Sequence, residues 1–146
     1  MLKSKKELKG YCRFHGYDYS RGATLFVTIV TAPRQMIFGR VVDDRVELND
    51  CGRAAEETFR LEMKRNPALN VMAFVIMPDH VHFMIHVRAG SNEPLRQIGQ
   101  FVANFKRWTK YKVDKLGVTG FGWQENYHDW ICLSREGMDA VEKYIK

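Results

Sequence analysis

Long apolar runs are missing from this chain, and no stretch of it is long enough in hydrophobic residues to cross a bilayer. The first ten residues carry four lysines and no apolar run, which excludes a signal peptide or a membrane span there. Cysteine is also sparse. Cys12, Cys51 and Cys132 are odd in number, far apart and without a Cys-x-x-Cys pair, so no disulfide framework is expected and the thiols read as reduced and cytosolic. Internal repeats and low-complexity tracts are absent. Acidic residues are outnumbered, 17 against 23 basic ones, giving a net charge of +6. That balance favours a polyanionic partner and gives no reason to expect a membrane one.

What is present suits one globular domain. With 146 residues, 45% of them hydrophobic, the chain can build a single core and is too short to suggest two. A polar arm, residues 1–22, mixes lysine and arginine with Tyr11, Phe14, Tyr17 and Tyr19. The domain proper is expected over residues 23–146. Ala23 to Thr31 is rich in β-branched residues and reads as a strand stopped by Pro33. Phe38 to Leu48 reads as a small hairpin turning at Asp43-Asp44. Asn49 or Asp50 caps a helix in which Ala55, Phe59 and Met63 recur every four residues, ending at Asn66-Pro67. Strands follow from Asn70 to Met77 and from His80 to Arg88, joined only by Pro78-Asp79, which predicts a tight antiparallel hairpin.

The longest helix is expected to start at Asn92-Glu93-Pro94 and end at Gly117. Its apolar stripe is Leu95, Ile98, Phe101, Val102, Phe105, Trp108, Val113 and Leu116. A strand from Trp123 to Leu133 and a terminal helix from about Ser134 complete the chain. The order β-α-β-β-α-β is that of a ferredoxin-like α+β sandwich, with both main helices on one face of an antiparallel sheet and the other face free.

The feature richest in chemistry is Val75-Ile-Met-Pro-Asp-His-Val-His-Phe-Met-Ile85. Alternate residues of a strand share a face, so Val81, Phe83, Ile85 and Val87 point into the core while His80 and His82 project together toward the free side. Spacing alone leaves two readings: a pair of surface histidines, or two ligands clamping one divalent cation. His86, on the same face, and His128 are further candidates of either kind.

An apolar strand ending in Met-Pro-Asp and passing into His-Val-His resembles the HUH motif of single-tyrosine transposases. More narrowly, it is similar to the REP-associated tyrosine transposases, relatives of the insertion sequence 200-like enzymes. Phe26-Val-Thr-Ile29 followed by Arg34 and Ile37-Phe-Gly39 looks like the opening strand and first turn of that family. Ile98 to Lys106 looks like its basic helix and Trp123 to Asp129 like its last strand. Glu142-Lys-Tyr-Ile145 looks like the helix that carries the nucleophile. The resemblance runs from about Ala23 to Lys146.

The resemblance implies cleavage and rejoining of single-stranded or hairpin DNA through a phosphotyrosine. His80 and His82 would hold a divalent metal ion, Mg2+ or Mn2+, and Tyr144 would be the nucleophile. Cytoplasmic, nucleoid-associated action follows from the same resemblance, and monomer and homodimer both stay open. The family's extra polar ligand, four residues beyond the tyrosine, would fall past Lys146. Its histidine and arginine before the tyrosine helix correspond here to Trp130 and Leu133. Those two departures support an alternative, a catalytically inactive, domesticated module that binds DNA hairpins. Lys5, Lys6, Arg13 and Arg21 in the arm and Arg96, Lys106, Arg107 and Lys110 on the long helix are the expected DNA contacts. Basic side chains neutralise phosphates and interleaved aromatics, Tyr111 among them, stack on unpaired bases.

Overall fold

The computed structural model describes residues 22–88, 90 and 94–132. Strand β1 (Ala23–Val30) is followed by the hairpin β2 (Gly39–Val42) and β3 (Arg45–Leu48). Helix α1 (Asp50–Arg65) leads to strands β4 (Asn70–Ile76) and β5 (His80–Val87), then helix α2 (Pro94–Lys115) and strand β6 (His128–Cys132). The main sheet is antiparallel in the order β4-β5-β1-β6. This is the ferredoxin-like arrangement, with β2 and β3 as a separate two-stranded insertion.

Local chemistry fixes most boundaries. Asp43 and Asp44 both take positive φ, +50° and +62°, the conformation that a two-residue hairpin turn requires. Asn49 caps α1, its side chain accepting a hydrogen bond from Gly52 N at 2.9 Å, while its amide donates to Ile37 O at 3.0 Å and ties the helix start to the preceding turn. Pro78 and Asp79 close the β4–β5 hairpin, with Met77 N donating to His80 O at 2.8 Å.

The core lies between the sheet and the helices. Val81, Phe83, Ile85 and Val87 of β5 and Leu25, Val27 and Ile29 of β1 are buried, as are Ile98, Phe101 and Phe105 of α2. The Phe59 ring of α1 is the hub, with ring centroids 4.3 Å from Phe74, 5.2 Å from Phe83 and 5.3 Å from Phe101. Phe74 stacks on it and the other two meet it edge to face, and ring pairs of either kind are worth about 0.5–1.5 kcal/mol each beyond the area removed from water.

Three expectations need correction. The last strand begins at His128, not Trp123. Trp123 makes only an isolated bridge to Thr31, and positive φ at Asn126 breaks the run before β6 begins. Trp108 and Leu116, read as part of the apolar stripe of α2, are 39% and 49% exposed. The imidazole side of the sheet is not an open floor either. Thr24, Phe26, His82 and Met84 on that side are all buried, and Phe26 stacks on His82 with ring centroids 4.9 Å apart.

Candidate active site

The register of the two central strands builds the site. His82 lies opposite Thr28 and His80 opposite Val30, so both imidazoles stand on the face away from α1 and α2. Their ring centroids are 4.3 Å apart with planes at 70°. Each ring is fixed through Nδ1. The Asp79 carboxylate can only accept, so His80 Nδ1–H donates to its Oδ1 at 2.5 Å. His82 Nδ1 is 2.9 Å from the Thr28 hydroxyl. In the tautomer in which that nitrogen donates, His82 presents the lone pair of Nε2.

Asp79 is itself held. Its Oδ2 accepts from Arg34 Nε at 2.8 Å, and its backbone oxygen accepts from Thr31 N at 3.1 Å and Thr31 Oγ1 at 3.0 Å. Burial alone would raise the Asp79 carboxyl, but the hydrogen bonds and charges of Arg34 and His80 outweigh it and hold the group below the usual carboxylate range. His82 goes the other way for a base. Burial first, then the positive charge of His80, pushes it down to about 3, with Asp79 opposing and Arg34 adding to the fall. It is therefore neutral at physiological pH, the state a metal ligand needs.

The donor set fits a divalent cation. Both imidazoles have their Nδ1 atoms anchored to oxygens, which makes Nε2 the nitrogen through which either ring could coordinate, the outer-shell pattern that fixes tautomer and orientation in histidine metal sites. Among the described residues, no group of three or more His, Cys, Asp or Glu side chains gathers as a metal cluster. His86 instead bonds Thr24 through Nδ1 at 3.1 Å, repeating the His82–Thr28 pair four residues along β5. It is roughly 13 Å along the strand from His82, out of reach of a shared ion. His128 lies beyond Thr28 on the outer strand β6 and is exposed.

The expected DNA contacts separate into groups. Tyr144, Lys5, Lys6, Arg13 and Arg21 lie outside the described residues. Arg96 and Arg107 are exposed on α2. Lys106 and Lys110 do something that the sequence did not signal. Lys106 Nζ donates to Gln124 O at 2.9 Å and Asn126 O at 2.7 Å, and Lys110 Nζ donates to Phe121 O at 3.0 Å. Trp123 Nε1 answers by donating to Lys106 O at 3.1 Å. Together they fasten residues 121–126 to α2, and Gln124 N donates to Val30 O beside His80. Burial lowers the Lys106 ammonium from its ordinary range, with Glu125 opposing. Thr28 and Asp79 were missed as anchors. Asp79 is the sequence neighbour of His80, but nothing marks Thr28, whose role exists only through the β1–β5 register.

The antiparallel four-stranded sheet with its helices is an α+β sandwich of the kind found in solved transposase structures. The chain belongs to the IS200-like transposase family, whose profile matches residues 26–146. DNA cleavage and transfer is the general activity of that family. A Haemophilus influenzae protein of uncharacterized function is 25% identical over 92% of this chain and 84% of its own length. Among solved structures, a REP-associated tyrosine transposase bound to a REP hairpin superposes with a TM-score of 0.59. It is 14% identical, over 91% of this chain and 70% of its own. A candidate transposase from Deinococcus radiodurans R1 superposes with a TM-score of 0.55. It is 17% identical, over 91% of this chain and 94% of its own. Among the described residues, no helix is long and apolar enough to cross a membrane.

Proposed function

We propose that this chain is a metal-dependent transposase that cuts and rejoins single-stranded DNA at hairpin elements, through a covalent 5′-phosphotyrosine on Tyr144. The observation that carries the reading is the His80–His82 pair, two adjacent imidazoles each anchored at Nδ1, by Asp79 and Thr28, so that Nε2 is the nitrogen of each ring that would meet a cation. Magnesium or manganese bound there would act as a Lewis acid, neutralising the non-bridging oxygens of the scissile phosphate; imidazole ligation leans toward manganese.

The protein's own groups set the stage for that chemistry. Asp79 and Thr28 hold the two rings in place. Arg34, held by Asp79 yet 62% exposed at its side chain, adds a fixed positive charge beside the site for a flanking phosphate. The Tyr144 oxygen then attacks phosphorus. Its bond to phosphorus forms as the bond to the 3′ oxygen breaks, and the phenolic proton is matched by one taken up at the released 3′ hydroxyl. A phenol of pKa about 10 is a workable nucleophile and a tolerable leaving group, so a 3′ hydroxyl can reverse the step and complete strand transfer. Hairpin DNA is the substrate class because the structurally similar REP-associated transposase is bound to one.

The test incubates the protein with manganese and labelled single-stranded hairpin DNA from its own genomic flanks, then looks for a protein–DNA adduct on a denaturing gel. An adduct lost in both Tyr144→Phe and His80→Ala is the expected result. A gel shift without any adduct would sink the enzyme reading and leave the domesticated hairpin-binding module.

A further inference from the structure

We infer that the outward stripe Asn104, Arg107, Trp108, Tyr111 and Lys115 of α2 is a stacking platform for unpaired bases of single-stranded DNA, on the opposite side of the sheet from the imidazoles. Trp108 and Tyr111 are 39% and 52% exposed and meet edge to face at 5.9 Å. Each ring carries a cation. The Arg107 guanidinium sits 5.3 Å from the Trp108 centroid and the Lys115 ammonium 5.4 Å from that of Tyr111. A single exposed aromatic is unremarkable on a protein surface. Two in contact, each with a cation close to its ring, make a surface that offers π faces and phosphate-neutralising charge together.

The charge of the helix selects the occupant. Among the residues of α2, Arg96, Lys106, Arg107, Lys110, Lys112 and Lys115 are basic and only Asp114 is acidic, and Asp114 is paired with Lys110 at 3.3 Å. Lys106 and Lys110 are engaged by the carbonyls of residues 121–126, and Lys112 lies 3.8 Å from Glu57. Arg107 and Lys115 instead rest on the two aromatic rings. A second copy of this helix would bring like charges together, whereas a polyanion releases counterions on binding. Duplex DNA hides its base faces, so the rings are useful only to unpaired bases. The choice of DNA rests on the transposase reading above.

Position gives the platform a separate role. Phe101 and Phe105 turn α2 toward Phe83, on the helix side of β5, while His82 stands on the other side. A strand that fills both places must pass round the sheet, so the platform would hold DNA flanking the cleaved segment rather than the scissile phosphate.

The test measures binding of the full chain to a labelled oligothymidine of about 30 nucleotides, to a duplex of the same length and to phosphatidylglycerol vesicles, all in EDTA so that metal contributes nothing. Trp108→Ala and Tyr111→Ala should each weaken oligothymidine binding about tenfold, with duplex binding little changed. Trp108→Phe and Tyr111→Phe, which retain a π face and the packing volume, should bind nearly as the parent does. Unchanged oligothymidine affinity in the double alanine variant would overturn the proposal. So would an equal loss toward duplex, a loss seen only toward vesicles, or a protein that self-associates through this face and loses that property on mutation. Adduct formation on a short hairpin that covers only the cleavage site is read in parallel. An adduct with unaffected oligothymidine binding overturns the platform alone, and normal platform behaviour without an adduct overturns the transposase chemistry alone.

Discussion

His82 couples the site to the stability of the fold. In the unfolded chain it takes a proton near pH 6.5, and in the folded chain only near pH 3, because burial disfavours its charged form. Between those values the unfolded state binds the extra proton. The contribution of His82 is therefore complete above about pH 6.5 and is lost as pH falls, at about 1.4 kcal/mol per pH unit. In metal-free protein, urea titrations at pH 7, 6 and 5 should show this slope, and His82→Gln, which does not titrate, should flatten it. A parent curve as flat as the variant's would contradict the burial that the structure gives this ring. Asp79 works in a separate window, since its depressed carboxyl contributes above the ordinary carboxylate range and loses that contribution only as pH falls below it. Its role is geometric at neutral pH. Asp79→Asn removes the charged acceptor that orients His80, and losses of this kind typically lower metal affinity about 10- to 100-fold. Calorimetric titration with manganese should find that drop while leaving the fold intact by circular dichroism. An unchanged affinity would show that His80 needs no orienting partner.

At the scale of elements, the joint between α2 and residues 121–126 is the least expected part of the structure. The Lys106 ammonium donates to two carbonyls, and Trp123 donates back to the Lys106 carbonyl, so helix and loop are cross-linked in both directions. Lys106→Met keeps the aliphatic stem and removes both charge-assisted bonds. The expected loss is about 2 kcal/mol of unfolding free energy, because hydrogen bonds to charged groups contribute more than neutral ones while the partly buried ammonium no longer has to be desolvated. Urea unfolding followed by tryptophan fluorescence would measure it, and Lys106→Arg should recover part of the loss. Helix α1 and the β4–β5 hairpin were legible in the sequence because their signals are local: an Asn cap, a four-residue apolar repeat, a Pro-Asp turn. The start of β6 was not, since Trp123 and Gln124 do contact β1 and only the positive φ of Asn126 breaks the strand. Trp108 misled the reading of α2 for a similar reason: hydrophobicity places a residue on a stripe, but whether anything packs against that edge is decided by elements distant in sequence. The imidazole pair was readable from alternation alone. The Thr28 anchor was not, because it depends on a register between residues 54 positions apart.

For the molecule as a whole, the position of the site in the sheet determines how a bound ion would affect stability. His80 and His82 stand on β5, bonded on one side to β1 and on the other to β4, with β1 itself enclosed between β5 and β6. A strand so placed opens only when the whole sheet does, so ligand binding to it is expected to stabilise the fold against global unfolding rather than only against a local opening. Manganese at a hundred times its dissociation constant should then add about 2.7 kcal/mol and raise Tm by roughly 5–10 °C in a chain of this length. His80→Ala should lose the manganese-dependent shift. Arg107→Ala, distant from the imidazoles, should keep it. Thermal scans with and without EDTA would decide the matter, and the mode of the response carries information beyond its size. A rise in Tm shared by Trp fluorescence and circular dichroism would mean that the ion reads the state of the entire sheet. A shift confined to one probe would mean that the β4–β5 hairpin separates from β1 before the rest unfolds, contrary to the paired, largely buried centre that β1 and β5 form.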